Sequence, residues 1–176
     1  HMSGTDTVAS MVVFSNGISN KSAYRKFKMN IPGNDDFAHM NEVIKRRLSD
    51  KNVKSWGLPD FILIDGGKGQ LAAAIEARDE LNHKIPMIGL AKKYEDLVIS
   101  KSESLVSLNL EYIRKLEGLT YDESDNFVRI SLPASKNIIK LLQRIRDESH
   151  RFAVSYHSVL KSTRQTKSFL DTIPGI

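Results

Sequence analysis

Phe61-Ile62-Leu63-Ile64-Asp65-Gly66-Gly67-Lys68-Gly69-Gln70 is the stretch on which the fold turns. Four apolar residues in a row, without alternation, are the pattern of a central strand covered on both faces. The glycines break the chain, and residues 70–81 (QLAAAIEARDEL) are good helix formers throughout. Residues 87–90 (MIGL) then give a second short buried strand ahead of Ala91-Lys92-Lys93. Strand, helix and strand in this order indicate an α/β domain.

Upstream, residues 7–14 (TVASMVVF) are β-branched and apolar and end at Ser15-Asn16-Gly17, a turn signal. Residues 24–31 (YRKFKMNI) alternate imperfectly, as a half-exposed strand does, so the two segments are expected to pair antiparallel. Pro32-Gly33-Asn34-Asp35-Asp36 supplies a turn and a helix cap, and apolar residues at helical spacing predict a helix over 36–49. Downstream, 97–132 is an extension, with strands expected at 105–110 and 127–132 and an acidic loop at 117–126. A long helix is expected over 135–160. On a wheel centred on Ile145, the residues Ile138, Leu142, Phe152, Tyr156 and Val159 form its core stripe.

A hydrophobic fraction of 40% with 27% charged residues supports one globular core and argues against disorder. No apolar run nears the roughly 20 residues of a membrane span, and the first residues lack the basic start and apolar stretch of a signal peptide. Cysteine is absent, which excludes a disulfide framework, a thiolate zinc site and a cysteine nucleophile, and agrees with a cytoplasmic setting. The net charge of +5 is unevenly spread: residues 136–167 hold eight bases against Asp147 and Glu148, a local +6, so the rest sums to −1. A basic segment on a near-neutral body fits a polyanion partner, or simply a solvated helix face and tail.

Asp65 carries the strongest chemical signal. It follows a buried strand at the carboxyl end, where open α/β sheets place their ligands, and a carboxylate there needs an ion, a helix N-terminus or hydrogen bonds. The plainer alternative is a cap for the next helix. A Walker loop is rejected, because the glycine spacing is wrong and no Gly-Lys-Ser/Thr follows; a Gly-x-Gly-x-x-Gly fingerprint is absent too. His150 lies about 140° from Ile145 on the wheel, which suits a core histidine poorly. Arg146 and His157 share its flank, with Asp147 one turn back; the alternative is an ordinary solvated face. Lys92 and Lys93 follow a buried strand and are placed to reach phosphate. Tyr24, Arg25, Lys26 and Lys28 make a basic strand with aromatics, compatible with nucleic acid or with solvation.

Read in order, several strings become specific. They are Thr7-Val8-Ala9-Ser10, Tyr24-Arg25-Lys26-Phe27, Asn34-Asp35-Asp36-Phe37, Asp65-Gly66-Gly67-Lys68-Gly69-Gln70, Gly89-Leu90-Ala91-Lys92, Arg144-Ile145-Arg146-Asp147-Glu148-Ser149-His150-Arg151-Phe152-Ala153 and Ile173-Pro174-Gly175-Ile176. The chain resembles the C-terminal half of UvrC, the incision subunit of the bacterial UvrABC excision nuclease, over nearly everything except 97–132. The resemblance implies an RNase H-like mixed sheet flanked by helices, over residues 1–160, with 161–176 as a linker toward a helix-hairpin-helix domain. It implies a metal-dependent endonuclease making the 5′ incision in damaged double-stranded DNA, with UvrB as a partner. Asp65 matches the second catalytic aspartate and Histidine 150, His150, the catalytic histidine, both as metal ligands for Mn²⁺ or Mg²⁺. The first aspartate, and the first strand of the sheet, lie before the segment matching residues 1–5, so the resemblance also allows a catalytically silent module that only binds DNA or a partner. Arg25, Lys92, Lys93, Arg146 and Arg151 are the expected nucleic-acid contacts, with Asp147 or Glu148 as outer partners of the ion.

Overall fold

The computed structural model describes residues 7–91, 96–107, 111, 115, 118–131 and 137–166, the last thirteen by backbone alone. The chain divides into two compact units, one drawn from residues 1–34 and 141–176, the other from residues 35–140.

In the first unit, β1 (Val8–Met11) pairs antiparallel with β4 (Arg25–Lys28), Ser10 opposite Lys26, as the sequence predicts. Between them β2 (Phe14–Ser15) and β3 (Ile18–Ser19) form a small hairpin. Its turn residues Asn16 and Gly17 have φ of 54° and 79°, the double left-handed conformation of a tight two-residue turn. Tyr24, Phe27 and Met29 are buried here.

The second unit begins with α1 (Asp36–Arg47), whose cap is Asp35, accepting from the backbone N–H groups of Phe37 and Ala38. A short α2 (Asp50–Trp56), capped by Ser49, follows and was not foreseen from the sequence. Then come β5 (Ile62–Asp65), α3 (Lys68–Glu80), β6 (Met87–Ala91), β7 (Asp96–Ser100), β8 (Thr120–Glu123) and β9 (Phe127–Ser131). The strands form one mixed sheet in the order β5-β6-β7-β9-β8, with β5 and β6 parallel and the rest antiparallel.

Three expectations are corrected by this sheet. β5 stands at its edge, not its centre, among the described residues; an unbroken apolar run reports two covered faces and is silent about hydrogen-bonding neighbours. The extension supplies β7 at 96–100, while 105–107 is irregular and 108–110 lies outside the described residues. Part of the acidic stretch, Thr120–Glu123, is strand β8, whose exposed residues carry no apolar pattern to betray it.

One face of the sheet is packed under α1 and α3: Ile44 and Leu48 from α1 and Leu71, Ala74, Ile75 and Ala77 from α3 meet Ile64, Met87 and Val98. Alternation puts Leu63, Asp65, Ile88, Leu90, Leu97, Ile99, Val128 and Ile130 on the other face. Arg78 is buried within this unit at 2% exposure, donating to the carbonyls of Ile85 (2.9 Å) and Glu103 (2.6 Å) and to Asp79 (2.9 Å).

The last helix, α4 (Asn137–Thr166), runs six residues beyond the expected end at 160. Leu142 and Phe152 are buried as the wheel requires, but Ile138 is half exposed and Ile139 is fully buried. The helix passes from one unit to the other after residue 140, so a single wheel cannot describe both stretches.

Candidate active site

Asp65 closes β5, directly opposite Leu90 of β6, and that cross-strand row continues through Leu97, Ile130 and Tyr121. Its carboxylate therefore stands at the end of an apolar face, with Oδ1 closed off from solvent. The chain then turns sharply over β6. The Gly66 N–H donates to the Leu90 carbonyl at 3.1 Å, and a Cβ on Gly89 would lie 2.7 Å from the Gly66 carbonyl oxygen. Glycine at 89 is what lets the turn lie this close. At the helix start, a Cβ on Gly69 would lie 2.5 Å from the Phe37 ring, so the first turns of α1 and α3 rest on each other. The N-cap position of α3 is Gly67, two residues after Asp65.

His150 sits in the other unit, exposed on α4. The turn around it is docked on the β1–β4 pair by its opposite flank. Tyr24 Oη donates to Glu148 Oε1 at 3.0 Å, and its ring meets Phe152 edge-on at 5.1 Å. Lys26 Nζ stands 3.8 Å from the centre of the Phe152 ring, and Ser10 Oγ donates to the Ser149 carbonyl at 3.5 Å. Glu148 also accepts both arms of Arg151, from Nε at 2.9 Å and Nη2 at 2.7 Å. Glu148 thus serves both Tyr24 and Arg151, and Asp147 pairs with Arg146 at 3.3 Å.

The expected nucleic-acid contacts separate on inspection. Arg25 Nη1 donates to the carbonyls of Ser22 (2.8 Å) and Tyr24 (2.7 Å), holding the turn before β4. Lys26, its neighbour, is the residue that faces the helix; the alternation of Tyr24 and Lys26 around Arg25 was the available signal. Arg151 is 58% exposed and Arg146 only 14%. Lys92 and Lys93 lie outside the described residues. Of the other histidines, His39 is buried in α1 and His83 Nε2 lies 3.2 Å from the Leu48 carbonyl oxygen, both structural roles. Among the described residues no three His, Asp or Glu side chains gather into an ion-holding group. The Asp65 carboxylate by itself is a hard oxygen donor of the kind that Mn²⁺ and Mg²⁺ accept.

The electrostatics follow the docking. Arg151 holds the Glu148 carboxyl below its usual range, and burial, helped by Glu148, pushes the Tyr24 hydroxyl up. Lys26 is held down to about 8 from its ordinary 10.5, first by partial burial and then by the charge of Arg151. Between those values the unfolded chain binds more protons than the folded one, so this lysine makes stability rise with pH across that window. The groups around it are Arg151 and Phe152 from α4, with Tyr24 and Lys21 gathered on Glu148. Urea midpoints measured at about pH 7.5, below that window, and at about pH 10, inside it, are expected to move in favour of the native chain relative to Lys26→Met as pH rises. Parallel shifts of the two proteins would show that Lys26 does not titrate as stated.

A mixed sheet led by a parallel pair, flanked by helices and ending its outer strand in a carboxylate, defines an α/β domain of the RNase H-like class. The family model described as the UvrC RNAse H endonuclease domain matches residues 1–154, and the chain belongs to that family. It is 44% identical over its whole length to a UvrABC system protein C of Methanococcoides burtonii, of which it covers 26%. Against the proteins of the same name from Chlorobium chlorochromatii and Methanosphaera stadtmanae the identities are 43% and 45%, again over all of this chain and over 24% and 27% of theirs. The chain thus spans about a quarter of the length of these curated relatives. Among the described residues no helix is long and apolar enough to cross a membrane.

Proposed function

We propose that this domain is the DNA endonuclease of a UvrABC-type nucleotide excision repair protein, making the 5′ incision in damaged duplex with UvrB as a partner, in the cytoplasm. The match of residues 1–154 to the UvrC RNAse H endonuclease domain carries the reading. The setting of Asp65 supports it, a carboxylate at the carboxyl end of a strand with one oxygen withdrawn from water.

Asp65 and His150 are proposed as ligands of a Mn²⁺ or Mg²⁺ ion. When bound, such an ion acidifies a water and neutralises charge on the scissile phosphate. Asp65 contributes a hard, negatively charged oxygen on a rigid strand end, which the Gly66 to Leu90 hydrogen bond holds in place. His150 contributes a neutral nitrogen from a helical turn that Tyr24, Lys26 and Ser10 keep from rotating. Arg146, Arg151, Lys92 and Lys93 supply positive charge for the DNA backbone, contacts that carry no sequence information and so suit a nuclease directed by damage recognition elsewhere.

Anomalous scattering from a crystal soaked in Mn²⁺ tests the ligand assignment. An ion peak within coordination distance of both side chains is the expected result. A peak that touches neither of them refutes it.

A further inference from the structure

The turn 148–152 of α4 carries a second arrangement that the proposed ligand role of His150 does not use. Lys26 stands 3.8 Å from the centre of the Phe152 ring, and Arg151, the residue before Phe152, is close enough for its charge to act on the lysine. Neither cation is loosely held. Arg151 is gripped in parallel by both oxygens of Glu148, and that carboxylate is itself fixed by the Tyr24 hydroxyl. These two bonds use two of the five N–H groups of the guanidinium, and the side chain remains 58% exposed. Tyr24, 2% exposed, anchors the whole set to the β1–β4 pair.

We propose that Lys26 and Arg151 form a preorganised seat for one backbone phosphate of the DNA, with Glu148 and Tyr24 as its positioning residues. The inference rests on the reading that the domain acts on DNA, and adds to it a defined subsite and a residue, Lys26, outside the expected contacts. Arg151 is paired with Glu148 and its charge still bears on Lys26, so the lysine adds a local positive excess that one phosphodiester monoanion would balance. The lowered pKa of Lys26 has the same origin, since partial burial and the like charge of Arg151 both weigh on its ammonium. A phosphate oxygen there would relieve both. Holding the guanidinium in place beforehand also removes part of the ordering cost of binding.

Fluorescence anisotropy with a short labelled duplex, measured across a series of salt concentrations, tests this. Lys26→Met, which keeps the apolar stem on Phe152, and Arg151→Gln are each expected to weaken binding and lower the salt slope by up to about one. Because both cations serve one phosphate, the double variant is expected to lose little more slope than either alone. Glu148→Gln gives the sharpest contrast. A diffuse field would bind DNA more tightly once that negative charge is gone, whereas the seat, having lost its clamp on Arg151, binds more weakly, by roughly the factor of 5 of one charge-assisted bond. Tyr24→Phe is expected to act in the same direction, less strongly. Circular dichroism melts exclude unfolding as the cause. Tighter binding by Glu148→Gln, or unchanged affinity and slope in both cation variants, overturns the seat while leaving the nuclease reading intact. A native chain with no salt-dependent binding to duplex overturns the reading itself.

Discussion

In a full-length UvrC carrying this domain, Asp65→Asn is expected to slow the 5′ incision by about three orders of magnitude, roughly 4 kcal/mol of lost transition-state stabilisation. The substitution keeps the size and planarity of the side chain and removes only its charge. It therefore spares the turn at Gly66, whose hydrogen bond to Leu90 is made by the backbone. His150→Ala is expected to cost a similar factor, and the pair together little more than either alone, as for groups that act as a unit. Incision on a damaged duplex, resolved on a denaturing gel, reads this directly. Binding of the variants to the same duplex and their circular dichroism serve as the controls for DNA loading and folding. Should Asp65→Asn retain more than about a tenth of the native 5′ rate, the site is elsewhere.

The largest expected effect on stability is at Arg78. Methionine in its place fills a similar volume but leaves the Ile85 and Glu103 carbonyls without their charged donor. Stranding polar groups after removing a buried charge costs about 3–5 kcal/mol. For a chain of this size that is a fall in Tm of roughly 10 °C, measurable by calorimetry at neutral pH. A fall of less than about 2 °C would mean that neither bond contributes measurably to the native state. Nothing in the helical pattern of residues 70–81 distinguishes Arg78 from a solvated arginine, because the two carbonyls that bury it, those of Ile85 and Glu103, lie beyond the helix.

What could be read beforehand divides along the same line. Local chemistry was legible: the Asp35 cap, the Asn16-Gly17 turn, the antiparallel β1–β4 pair and the strand–helix–strand unit around Asp65 all follow from adjacent residues. Asp65 and His150 stood out by position, one at the end of an apolar run and one off the core stripe of a helix, the family strings gave them roles, and their burial and backbone setting came only from the fold. Pairing order was not legible. The same four apolar residues suit an inner or an outer strand, and β5 is outer. β8 was missed since its residues, Thr120-Tyr121-Asp122-Glu123, pack against one neighbour and face water. The bond from Tyr24 to Glu148 was not legible either, because the two stand 124 residues apart, whereas the Arg151 partner, one helical turn on, is visible in the sequence.

The strand order also sets the two margins of the sheet apart. Asp65 ends the strand on one margin, while β8 and the 124–126 turn that joins it to β9 stand on the other. Four strand spacings, about 19 Å, separate β5 from β8. Length and composition in that turn can therefore drift without disturbing the carboxylate. For the same reason the tip between β8 and β9 is where a dye or an affinity handle can be grafted with least interference.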